Sequence, residues 1–77
     1  MFTKVIVKNE IEISKTLTLR VGEIYFSKRD YNKGTYTIFY DIYDLNNNQL
    51  TSIGALYPHI FEDLNERRKR LIKKLVF

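Results

Sequence analysis

Thr35-Tyr36-Thr37-Ile38-Phe39-Tyr40-Asp41-Ile42-Tyr43-Asp44 is the most strand-like stretch of the chain, and its reading decides the fold class. It is dense in β-branched and aromatic residues, which suit a pleated, half-buried surface. Tyr36, Ile38, Tyr40 and Ile42 line one face, against Thr37, Phe39, Asp41 and Tyr43 on the other. Bulk on both faces predicts a central strand covered on both sides, or a strand in a curled sheet. Downstream, Leu45 to Gln49 reads as a hairpin loop, because asparagine tolerates left-handed backbone. Residues 50–56 then return as a strand.

Upstream, Arg29 to Gly34 reads as a polar loop, with Gly34 supplying positive φ as the chain re-enters a strand. Residues 2–8 form a strand rich in β-branched types, and Asn9-Glu10 a turn. Residues 11–20 alternate, with Ile11, Ile13, Leu17 and Leu19 on one face. Lys15 interrupts that face, which predicts a bulge or bend near Ser14-Lys15. Residues 23–28 form a further strand, with Gly22 marking the bend before it.

Pro58 suits the first turn of a helix. At 100° per residue, Ile60, Phe61, Leu64, Leu71, Ile72 and Leu75 fall within roughly 120° of one another. The spacing predicts an amphipathic helix over residues 58–75. The order is β-β-β-β-β-α in one domain of 77 residues. This is an α+β fold: a small antiparallel β-sheet of about five strands with one C-terminal amphipathic helix packed on it. An open sheet and a curled, SH3-like barrel both fit.

Residues 1–65 hold seven Lys/Arg and eight Asp/Glu, a balance of −1; residues 66–77 hold six against Glu66 alone, a balance of +5. Such an end attracts polyanions. Glu62, Asp63 and the following cations complement the helix dipole. Asp63–Arg67 and Glu66–Arg70 are favourable i,i+4 pairs. Arg67, Lys69, Arg70, Lys73 and Lys74 are therefore the candidate nucleic-acid contacts, with Lys69, Lys73 and Lys74 left free after pairing. Arg68 projects between Leu64, Leu71 and Leu75, where it snorkels, pairs with a sheet carboxylate such as Asp41, or anchors a partner. Of the six tyrosines, Tyr25, Tyr36 and Tyr40 lie on strands, and Lys28, Arg29 and Lys33 sit near Tyr25, Tyr31 and Tyr36. Exposed rings beside cations stack bases or serve a protein interface. With Arg68 they are the candidate partner-binding residues. Val76 and Phe77 either fray or seal a homodimer.

Catalytic signals are weak. The chain has no cysteine and one histidine, His59, at the start of the helix on its polar side. Asp44, Asn46 and Asn48 lack the central glycine and terminal glutamate of a Ca²⁺ loop. The three glycines are too widely spaced for a phosphate loop, and no nucleophile elbow appears. No catalytic residue, metal site or cofactor is expected. No apolar run approaches the ~20 residues of a membrane span, and the N-terminus lacks the pattern of a signal peptide. The expected location is intracellular and cytoplasmic, with no membrane partner.

Gly34 to Lys74, beginning Gly34-Thr35-Tyr36 and running strand, polar turn, strand, helix, resembles the arm-type DNA-binding domains of tyrosine recombinases. Those lay a three-stranded sheet on DNA. This chain departs by about 30 further N-terminal residues and few bases in its strands. The whole order, with Arg20-Val21-Gly22 before a strand and a closing helix, is also similar to small SH3-like archaeal chromatin proteins. Those are lysine-rich on the sheet, and this chain is not. No residue role transfers from either. The leading expectation is a small non-enzymatic binding protein that contacts nucleic acid through its basic helix. The alternative is a protein-interaction module with an acidic partner, such as a viral or mobile-element inhibitor of a host protein.

Overall fold

The computed structural model describes residues 2–75, with side chains to residue 73. The elements run β1 (Thr3–Val7), β2 (Ile11–Ser14), β3 (Leu17–Leu19), β4 (Ile24–Asn32), β5 (Thr37–Tyr43), β6 (Gln49–Ile53), α1 (Tyr57–Ile60), β7 (Phe61–Asp63) and α2 (Leu64–Leu75). Five strands form one antiparallel sheet in the order β6-β5-β4-β1-β7. The sheet ends at β6 and β7, so no SH3-like closure is seen. The fold is α+β, as the order of elements predicts.

The strand register assigns the faces. Val5 lies opposite Tyr25, Ser27 opposite Ile42, Tyr40 opposite Ile53, and Val7 opposite Phe61. These residues share one face, and Val5, Val7, Ser27, Ile42, Ile53 and Phe61 on it are buried. Leu19 and Ile60 complete the core, with Ile11, Ile13 and Leu17 packed against it. The small β2–β3 sheet and α1 therefore cover this face. On the other face, Lys4, Ile6, Phe26, Phe39 and Tyr43 are at most half-buried. Phe2 packs edge-on to Phe26 and Tyr43 there, at 6.3 and 5.0 Å between ring centres. The bulk on both faces of β5 does not mean cover on both faces; the second face shields only its own rings.

Two turns differ from expectation, and a third conforms. The expected irregularity is present, as a register shift between Glu12 and Ser14, but Lys15 also lies in a full reversal: β2 and β3 pair across it, with Ile11 opposite Leu19 and Ser14 opposite Leu17. Residues 29–34 are not a loop, because β4 continues to Asn32 and pairs as far as Thr37. The positive φ in that hairpin falls on Tyr36, at 53°, and not on Gly34. Asn47 does take positive φ, and the Asp44 carboxylate accepts the N–H of Asn46 and Asn48, each at 2.9 Å. Those bonds hold the Asp44 carboxyl below its usual range.

The largest correction is in the C-terminal helix. Pro58 does open a helix, but α1 ends after one turn, and Phe61 is extended at φ −116°, ψ 152°. Residues 61–63 instead pair with Val7, Ile6 and Val5 of β1. Otherwise β1 would expose a row of unpaired backbone groups beside the core. Extending the chain also buries the Phe61 ring against Tyr57, 5.2 Å away. Helical periodicity loses to this tertiary gain. Asp63 then starts α2, its carboxylate accepting the N–H of Asn65 at 2.8 Å.

α2 does not lay its apolar stripe on the sheet. Its main packing partners are β1 and β7. Leu64 is buried, but Leu71 and Ile72 are 49% and 60% exposed. Phe61→Ala is therefore expected to lower the unfolding free energy by about 3–5 kcal/mol in urea denaturation. Ile72→Ala should cost no more than about 0.5 kcal/mol. Equal losses would mean that α2 is packed as firmly as β7.

Candidate nucleic-acid interface

Position within α2 decides what each cation can do. Arg67 is half-buried and Arg68 exposed, so Arg67 is the one turned toward the body. Arg67, Arg70 and Leu71 face Lys8, Val21 and Glu62 across an open cleft of about 360 Å³. Three cations thus surround one carboxylate. Arg70 pairs with Glu62 of β7, not with Glu66 as its spacing suggests. Glu66 instead lies 3.9 Å from Lys69 on a well-exposed surface, where such a pair contributes little. Asp63 is engaged in capping and does not pair with Arg67. Arg68 and Lys73 are exposed, with no described carboxylate in ion-pair range. Lys74 lies in α2, its side chain outside the described ones, as are Val76 and Phe77 and any dimer seam they would form.

Asp41 is not the partner of Arg68. Its carboxylate accepts the Ser52 hydroxyl at 2.6 Å and the Gln49 amide at 3.3 Å, on the β5–β6 side of the sheet.

The tyrosines divide sharply. Tyr25 donates its hydroxyl to Glu23 at 3.1 Å, and its ring meets Phe61 edge-on. Burial, then that hydrogen bond and the charge of Glu23, push its phenol up to about 12. Tyr40 stacks on Tyr57 at 3.7 Å, and the Tyr57 hydroxyl shares a 2.9 Å hydrogen bond with Ser27. Burial raises the Tyr57 phenol too. Tyr25 and Tyr40 are therefore half-buried residues packed against the core. Tyr36 is different: it is 80% exposed at the tip of the β4–β5 hairpin. Tyr31 and Ile38, opposite each other on that hairpin, are also exposed. Their exposure is missed when residues 29–34 are read as a loop. The period-two run Tyr25, Ser27, Arg29, Tyr31 carries the signal. Lys8 is also missed, since nothing in its local sequence links it to residue 67.

The structure does not bring Tyr36 and the α2 cations together. Thr3 lies opposite Ser27, so the hairpin tip projects beyond the Thr3 end of β1. Lys8 and the cleft lie beyond the Val7 end. The molecule is 48 Å along its longest axis, with the two features toward opposite ends.

His59 is exposed, and its carbonyl oxygen accepts the Asn9 side-chain amide. Among the described residues no three His, Asp or Glu side chains gather as metal ligands, and no helix is long and apolar enough to cross a membrane. No protein-family model, curated protein or solved structure matches the chain.

The Tyr25 environment has a pH signature. Its folded phenol titrates near 12, against 10.0 for an unperturbed one. The protonated form is favoured in the folded state, so this contribution is complete below pH 10 and lost as pH rises toward 12. Tyr25→Phe should remove that part of the alkaline loss. Denaturation midpoints measured across this range should fall less steeply in the variant; parallel curves would contradict the assignment.

Proposed function

We propose that the chain is a non-enzymatic nucleic-acid-binding module that takes the sugar–phosphate backbone on α2 and the adjoining cleft. The observation that carries this reading is the segregation of charge along α2. Glu66 lies in its first turn, while Arg68, Lys69 and Lys73 line its exposed side. Lys8 and Arg67 extend the positive surface onto the body. Exposed cations at helical spacing suit phosphates, whose condensed counterions are released on contact. No base-specific role is implied for these side chains, because phosphate contacts position without specifying sequence. An intracellular setting suits this reading.

One observation favours a second reading. Leu71 and Ile72 are exposed among the same cations. An acidic protein partner with an apolar groove would engage both the charges and these two side chains. That is the module expected of a small viral or mobile-element regulator of a host protein.

The deciding experiment is fluorescence anisotropy with labelled oligonucleotides at about 50 and about 200 mM salt. Binding should weaken steeply between the two. The double variant Lys69→Glu, Lys73→Glu should bind at least about tenfold more weakly at the lower salt. Its plot of log affinity against log salt should be shallower by about two. Absence of binding at low salt, or full affinity in the variant, would refute the reading.

A further inference from the structure

From Lys28 through Ile38 every residue is exposed, yet the backbone there is regular. Lys28 to Asn32 of β4 pair without a break with Asp41 to Thr37 of β5. Five paired residues make a ribbon about 17 Å long. Its turn is locally held. The Asn32 side-chain oxygen accepts the N–H of Gly34 at 2.9 Å, and the hydroxyls of Thr35 and Thr37 lie 2.6 Å apart. Tyr36 adopts φ 53°, an unfavourable region for a residue with a Cβ, and presents its ring to solvent. A paired but unburied ribbon adds nothing to the core, so its residues are free to serve a contact.

Its two faces differ in charge. The register puts Arg29, Tyr31 and Ile38 on one face, which carries no acid, and Lys28, Asp30 and Asn32 on the other with Thr37, Phe39 and Asp41. The Asp30 carboxylate bonds the N–H of Tyr31 at 2.8 Å. With Lys33 at the turn, residues 28–41 hold three cations against Asp30 and Asp41, and both acids lie on the second face. The acid-free face, with Arg29 on it and Lys33 at the turn beside it, suits an anionic partner that admits a two-stranded ribbon.

We infer that the β4–β5 ribbon enters the major groove of duplex DNA, with Arg29 facing base edges and Lys33, at the turn, toward the flanking phosphates. The inference rests on the nucleic-acid reading above and names the duplex as its ligand. The B-form major groove is about 12 Å wide and admits a two-stranded ribbon, whereas the major groove of A-form RNA is too narrow for side chains to read. An arginine fits the paired acceptors of guanine, and Tyr31 and Ile38 offer apolar contact to thymine methyls. The acid-free face is the one turned to the DNA, and Asp30 and Asp41 are turned away from it.

The test combines anisotropy with footprinting, using a labelled pool of about 20-base-pair duplexes, the matching RNA duplexes and single-stranded DNA, at about 50 mM salt. Duplex DNA should bind tightest, and the protein should protect guanine N7 from dimethyl sulfate. Arg29→Ala should lower affinity for the best-bound duplexes by about 5- to 100-fold and flatten sequence preference. Arg29→Lys should keep the charge and lose most of the preference. Lys33→Ala should weaken all duplexes alike. All three positions are exposed, and circular dichroism checks that each variant is folded. Unprotected guanine N7 at saturation, tighter binding to single strands or duplex RNA, or wild-type affinity and preference in Arg29→Ala overturns the inference. If the α2 variant loses binding while ribbon variants do not, the ribbon assignment falls and the α2 reading stands. If no nucleic acid binds at all, both fall, and an acidic protein partner becomes the occupant of each surface.

Discussion

The pairing of Phe61–Asp63 with β1 is the constraint on which the rest of the structure depends. Three residues become extended inside what is otherwise a helical stretch. That single change closes one edge of the sheet against β1 and drives the Phe61 ring into the core beside Tyr57 and Tyr25. It also fixes where α2 begins, because Asp63 is both the last residue of β7 and the cap of the helix. Glu62, on the same short strand, holds Arg70. The orientation of the basic helix thus follows from a β-pairing and not from burial of its own apolar stripe.

This explains why α2 is loosely seated. A helix that packs on a sheet gains most of its stability from its apolar face. Among the described side chains of α2, Leu64 alone is buried, and the Arg70–Glu62 pair and the cleft around Arg67 add further contact. The helix remains amphipathic in sequence while leaving Leu71 and Ile72 in solvent. The same shortage of cover appears on the second face of the sheet, where Phe2 packs on Phe26 and Tyr43 and no described helix or strand lies over them. A chain of 77 residues builds one core, and it spends its small hairpin and first helical turn on one side of the sheet.

Much of this was legible in the residues. The strands at 2–8, 35–44 and 50–56 appear as β1, β5 and β6 within a few residues, since β-branched and aromatic density is a local property. The α+β order was equally plain. The break at Phe61 was not, because three residues are too few to show a period, and their conformation is set by a partner strand more than 50 residues away. The reversal at Lys15 was hidden by an alternation that continues on both sides of the turn. At the candidate interface, the basic helix was evident from charge alone. Its rotation was not: with β7 holding Glu62 against Arg70, Arg67 turns inward and Arg68 outward, one residue out of step with the apolar stripe. Tyr25 and Tyr40 look identical to Tyr36 in sequence, and only their neighbours Glu23 and Tyr57 separate them.

β4 is nine residues long and belongs to two environments. Its first half is woven between β1 and β5 over the core, and its second half runs outward with β5 alone. The projecting ribbon is therefore continuous with the central strands of the sheet, its ladder unbroken from Phe26 to Asn32. A hinged arm would lose orientational freedom on docking, whereas this one has surrendered it during folding. The aim of the arm is inherited from the sheet, so a change in the twist of the core strands would redirect the tip without altering any residue there.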